Sequence, residues 1–213
     1  GWWTLDGHTN DSSGNGNDGT NNGATPTSGV YGQAYEFDGT GYISCGNSSV
    51  FDISDKLTLS LWLYVRSESG FPKYFGKGEI SGWDDPYIIH QRDGGSELRF
   101  RSTNDTGSTY LVRWGDFNLN RWYHVVGMVD STNGWIKLLV DGKEVDSSSY
   151  SGSILIDSTK SVGIGDGEFN GIIDDARIYN RILTQKEIMD LQTTTKMKQT
   201  SDKLYVKQQF KEI

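Results

Sequence analysis

Residues 121–145 read "RWYHVVGMVDSTNGWIKLLVDGKEV". Two apolar runs rich in Val, Ile, Leu and aromatic residues flank "DSTNG", and "DGKE" closes the second run. Gly beside Asn or Asp between such runs marks a tight reversal, because these residues tolerate the positive φ a hairpin turn demands. The stretch therefore predicts antiparallel β structure. Upstream, "KLTLSLWLYVR" (56–66) alternates strictly, with Leu57, Leu59, Leu61, Leu63 and Val65 on one face. Its other face carries Thr58, Ser60, Trp62 and Tyr64, so it is not simply solvated. Further strands are expected at 85–92, 97–103, 109–113, 161–165 and 171–179, with "RDGG" and "NDTG" as turns between them. Many short strands, no long helical pattern and no fixed repeat predict an all-β sandwich or barrel.

Towards the end the rhythm changes. "LTQKEIMDL" places Thr184 three residues before Glu187, a capping box, and Ile188 and Leu191 give a short apolar helical face. After it, "QTTTKMKQTSDKLYVKQQFKEI" (192–213) is rich in Lys and loses the β pattern. One domain is expected over 1–191, with 192–213 a linker, a tail or the start of a further segment.

Composition narrows the function classes. The 213 residues include 27 Gly, 3 Pro, 7 Trp and 11 Tyr, which suits a β core and is too aromatic for disorder. The formal net charge of −8 argues against nucleic acid, whose binding rests on Lys and Arg. It suits extracellular life and cation binding. Cys45 stands alone, so no disulfide framework or cysteine-based zinc site is available. No apolar run approaches the ~18 residues of a membrane helix. A monomer outside the cell or on its surface is expected.

"DSSGNGNDGT" (11–20) begins like an EF-hand loop, but the position that needs a bidentate Glu is Asn22, and no helices flank it. On its own it reads as a turn. In "GIIDDARIY" (171–179), strict alternation puts Ile172, Asp174, Ala176 and Ile178 on one face. A carboxylate in an apolar row needs a basic partner, backbone N–H groups or a metal ion.

Six segments in order resemble the laminin-G-like jelly rolls of the concanavalin A-like lectin/glucanase superfamily. They are "DSSGNGNDGT" (11–20), "YGQAYEFDGTGYISCG" (31–46), "ISDKLTLSLWLYVRS" (53–67), "FGKG" (75–78), "NRWYHVVGMVDSTNGWIKLLVDGKEV" (120–145) and "FNGIIDDARIYNRILTQKEI" (169–188). The resemblance spans about residues 2 to 191 and implies a two-sheet antiparallel jelly roll whose closing strand lies beside the opening one. It also implies a structural Ca²⁺ on the convex side, with Asp6, Asp18, Asp38 and Asp174 as ligands and the Gly39 carbonyl completing the shell. On that reading Asp11 and Asn15 are turn-formers.

Enzymes, sugar binders and adhesion domains share this fold, so function must come from a site. The E-x-D-x-E and E-x-D-x-x-E carboxylate patterns of its glycosidases are absent. "IIHQ" (88–91) and "SELRFRS" (96–102) resemble two alginate-lyase motifs, but in inverted order and without the third. Sugar sites in the fold lie on the concave sheet and its rim, where rings stack on pyranose faces. The candidates are Trp83, Asp84, Asp85 and Tyr87 in "EISGWDDPY" (79–87), with Tyr74, His90, Arg92, Arg99, Arg101 and Trp114 nearby. Trp62 and Trp122 match core positions. The expectation is a non-catalytic carbohydrate-binding or adhesion module of a larger secreted or cell-surface protein, with a glycan ligand. A protein-interaction domain and a polysaccharide-cleaving enzyme are the alternatives.

Overall fold

The computed structural model describes residues 1–67, 70–78, 85–91, 97–115 and 117–193. In chain order its strands are β1 (Trp2–Trp3), β2 (Thr20–Asn22), β3 (Thr25–Ser28), β4 (Gln33–Asp38), β5 (Tyr42–Ser44), β6 (Lys56–Val65), β7 (Lys73–Lys77) and β8 (Tyr87–Gln91). There follow β9 (Leu98–Thr103), β10 (Thr109–Trp114), β11 (Trp122–Asp130), β12 (Trp135–Val140), β13 (Lys143–Ser149), β14 (Val162–Ile164) and β15 (Asn170–Tyr179). A 3₁₀ turn spans Ser49–Phe51, and one α-helix, α1, spans 185–193.

The strands form two antiparallel sheets. One runs β13-β12-β11-β6-β15-β4-β3, and the other β10-β9-β8-β7-β14-β5-β2. β4 pairs with the first half of β15 and β1 with the second, so the opening strand does lie beside the closing one. Leu57, Leu59, Leu61, Leu63 and Val65 of β6 enter the core between the sheets, as alternation predicts. Across that core, a Cβ on Gly127 of β11 would sit 2.6 Å from the Phe100 ring, so only glycine leaves the ring its space. At the β12–β13 turn Asp141 and Gly142 take φ of 49° and 76°, the paired positive values of a tight hairpin.

The outer face of the β6 sheet is covered. Leu183 and Ile188 pack on Val126, Met128 and Leu139, with Leu191 against the same cluster. The expected capping box forms: the Thr184 N–H donates to Glu187 Oε2 at 2.8 Å, and the Glu187 N–H to Thr184 Oγ1 at 3.3 Å. α1 continues past 191, and the Gln192 side chain reaches His124 Nδ1 at 3.1 Å. Among the described residues no helix is long and apolar enough to cross a membrane.

β15 departs from strict alternation. Asp174 pairs with Trp62 and Arg177 with Ser60, so two residues, Asp175 and Ala176, oppose Leu61. This is a β-bulge, and Asp175 absorbs it at φ 50°. The side-chain phase shifts: Ile173, Ala176 and Ile178 face the core, while Asp174 turns to the outer face. The expected row of Ile172, Asp174, Ala176 and Ile178 is therefore split.

Candidate binding face

The outward face of the second sheet is built by alternation. In β8, Tyr87 and Ile89 enter the core and Ile88 and His90 turn outward; in β9, Leu98 and Phe100 enter and Arg99 and Arg101 turn outward. The register then sets Lys73, His90, Arg99 and Arg113 side by side on four adjacent strands, with Ile88 beside Arg101 in the next row.

Asp85, just before β8, is fully buried and joins the two rows. It accepts from Lys73 Nζ at 3.2 Å and from the Arg101 guanidinium. Burial raises the Asp85 carboxyl above its ordinary value against the pull of Lys73 and Arg101, and burial likewise lowers Lys73 against the pull of Asp85. Both directions say that desolvation outweighs pairing here, as is common for ion pairs taken out of water. Arg99 Nε donates to Glu97 Oε1 at 2.6 Å, which holds its guanidinium on the face.

His90 is 7% exposed. Its Nδ1 lies 2.9 Å from the Gln91 carbonyl, which can only accept, so the ring proton resides on Nδ1. Burial, aided by the Arg101 charge, pushes its pKa down to about 4, so the ring is neutral at ordinary pH. Nε2 is then a buried lone pair without a hydrogen-bond partner among the described residues. Chemically the face offers one acceptor at Nε2, fixed guanidinium and ammonium donors, and a shared carboxylate.

Of the expected ligand residues, Asp85, His90, Arg99 and Arg101 come together here. Tyr74 and Tyr87 do not: both are fully buried in the core, their hydroxyls donating to Gln91 Oε1 at 2.5 Å and to the Phe51 carbonyl at 2.7 Å. Trp114 pairs with Leu98, which turns it inward, and its ring packs on Tyr123 at 5.3 Å. Trp83, Asp84 and Arg92 lie outside the described residues. Lys73 escaped the sequence reading because β7 is short and slips register between Lys73 and Phe75, which erases the alternation. Asp166, a further buried carboxylate near Lys73, is occupied by the backbone N–H groups of Lys73, Glu168 and Phe169.

The expected metal ligands are not gathered. Asp6 Oδ1 and Asp174 Oδ2 accept from the Gln33 and Tyr31 N–H groups of one loop, each at 3.0 Å. Asp18 instead accepts from the Asp11 N–H at 2.8 Å, within the opening loop. Asp38 is exposed and closes its own turn onto Thr40, and Gly39 follows it there, its N–H donating to the Phe169 carbonyl. Among the described residues no three His, Cys, Asp or Glu side chains converge: Asp6 and Asp174 meet on one loop, while Asp18 and Asp38 bond elsewhere. Asp11 is the hub of the opening loop, accepting from the N–H groups of Trp2, Ser13 and Asn17 and from the Asn17 amide. Burial alone would raise its carboxyl; these hydrogen bonds outweigh burial and hold it well below the usual range.

Solved structures share the architecture. Domain 4 of AbnA, an extracellular arabinanase from Geobacillus stearothermophilus in complex with arabinotriose, has a TM-score of 0.70 at 24% identity, over 89% of this chain and 96% of that one. The binding domain of Paraclostridial Mosquitocidal Protein 1 gives 0.69 at 18% identity, over 85% and 48%. The binding domain of botulinum neurotoxin DC in complex with SialylT gives 0.69 at 14% identity, over 87% and 48%. The chain thus spans nearly all of the arabinanase domain and about half of each toxin domain. At these identities the likeness is one of fold. No curated protein matches the sequence. A family model described as the concanavalin A-like lectin/glucanases superfamily matches residues 37–189, and the chain belongs to that superfamily.

Proposed function

We propose that the chain is a non-catalytic glycan-binding module of an extracellular or cell-surface protein, and that it takes its ligand on the outward face of β7, β8 and β9. The observation that carries this reading is His90 Nε2, a buried acceptor without a partner among the described residues, set beside the Arg99 and Arg101 guanidiniums. A sugar hydroxyl is both donor and acceptor. It can donate to Nε2 while accepting from a neighbouring guanidinium. The Asp85 network holds these donors in place before a ligand arrives, which lowers the ordering cost of binding. The arabinotriose complex of one structural neighbour, a domain this chain matches over 96% of its length, supports the reading.

A glycan array tests it, run with and without EDTA on the wild type and on His90→Ala and Arg101→Ala. Binding lost in both variants is the expected result. Retention of full binding by both would overturn the placement, and no binding of any glycan by the wild type would overturn the function. Release of reducing ends or unsaturated products from a bound polysaccharide would instead favour the cleaving-enzyme alternative.

A further inference from the structure

A second cleft lies on the other sheet, where β1 joins the end of β15. It encloses about 450 Å³, within the range of small-ligand sites. Its walls come from Trp2, Asn15, Val50, Arg177, Tyr179 and Asn180. Val50 is 52% exposed there, although Phe51 beneath it is buried.

The β15 bulge builds one wall. Asp175, at its positive φ, accepts from Trp2 Nε1 at 2.6 Å and from Arg177 Nε at 3.0 Å, and its second oxygen meets Arg177 Nη2 at 2.9 Å. The Arg177 guanidinium lies 4.3 Å over the Trp2 ring, and its Nη1 donates to the Tyr179 hydroxyl at 3.4 Å. The Trp2 backbone is held as well, its N–H donating to Asp11 and its carbonyl accepting from Ser12. A non-glycine residue at positive φ is a strained position, and strain of this kind persists where the surroundings fix it. Here it fixes an indole, a guanidinium and a phenol in one rigid stack at the edge of a cleft.

We propose that this cleft is a second ligand site and that it takes an uncharged oligosaccharide. The charge of Arg177 is met by Asp175, so its guanidinium is not left free to take an anion. What it presents is ring carbon for the apolar face of a sugar, the Val50 side chain, and the amides of Asn15 and Asn180 and the hydroxyl of Tyr179 for sugar hydroxyls. The proposal rests on the glycan-binding reading of the domain but uses different residues on a different sheet, so a ligand can occupy either site alone.

The test is a titration with neutral trisaccharides (xylotriose, maltotriose, cellotriose) and one uronic-acid trisaccharide, read from the Trp2 indole N–H and the His90 ring signals in NMR spectra. Trp2→Phe assigns the indole signal. The expected result is a saturable shift of the Trp2 signal with at least one neutral probe. Val50→Arg, at an exposed position, is expected to weaken that binding about tenfold or more and to leave any shift at His90 unchanged. A Trp2 signal unmoved by every neutral probe, an equal response in Val50→Arg, or a shift with the uronic-acid probe alone would overturn it. A shift at Trp2 with none at His90 would refute the placement on β7, β8 and β9 and leave the cleft standing.

Discussion

Replacing Asp174 by Asn tests how the fold tolerates a carboxyl among covered side chains. Asp174 is 1% exposed; its Oδ2 accepts from the Tyr31 N–H, and its Oδ1 is without a hydrogen-bond partner among the described residues. Burial raises its pKa from 3.8 to about 8. The folded protein thus keeps a proton that the unfolded chain releases above about pH 4. The stability this proton confers is complete below about pH 4 and is lost as pH rises towards 8. A carboxyl moved from 3.8 to about 8 sets a ceiling of roughly 5–6 kcal/mol across that window. A side chain that can relax or admit water reduces this to a few kcal/mol, roughly 10 °C in Tm for a domain of this size. Asparagine accepts the same Tyr31 N–H and carries no charge. Tm measured in EDTA across the window should therefore fall for the wild type relative to Asp174→Asn, the two curves parting above about pH 4. Parallel curves would rule out a proton held there by burial. A variant less stable at high pH, with EDTA lowering only the wild type, would show that a cation and not a proton satisfies Asp174.

Three further outcomes follow from particular contacts. Gly127→Ala should lower stability by about 1–3 kcal/mol in urea unfolding, because the added methyl falls 2.6 Å from the Phe100 ring. Asp11→Ala should cost about 2–3 kcal/mol and loosen residues 11–18 in hydrogen exchange, since the N–H groups of Trp2, Ser13 and Asn17 lose their shared acceptor. Glycan affinity at the β7, β8 and β9 face should stay level as pH falls and drop as it nears 4, where protonation removes the Nε2 lone pair of His90. A pH-independent isotherm would show that Nε2 takes no part.

How much of this was legible differs by element. The β11–β12 hairpin and β6 declared themselves because residues facing a core repeat every second position, and the structure keeps that period through both. Thr184 and Glu187 announced the helix start through a local bond that needs no tertiary context. β15 was misphased because a bulge inserts one residue without any Gly to mark it, and Asp175 reads like any strand residue. The same limit governs the sites. Asp85, His90, Arg99 and Arg101 were recognisable as a polar group on neighbouring strands, whereas Tyr74 and Tyr87 look like stacking rings until the sheet register turns them inward. Asp18 and Asp38 carry the right chemistry for a cation, but one oxygen of each accepts from a nearby N–H group, a local bond that spacing cannot reveal.

A glycan site on β7, β8 and β9 stands or falls on His90 and Arg101. Its sharpest test is isothermal titration of the best array glycan against the wild type, Arg101→Ala and Asn180→Ala, with Asn180 reporting the separate cleft. Arg101→Ala should lose at least about tenfold in affinity, since a charge-assisted hydrogen bond contributes roughly 1.5–3 kcal/mol. An Arg101→Ala protein that stays folded by Tm and binds the glycan as tightly as the wild type would disprove the site.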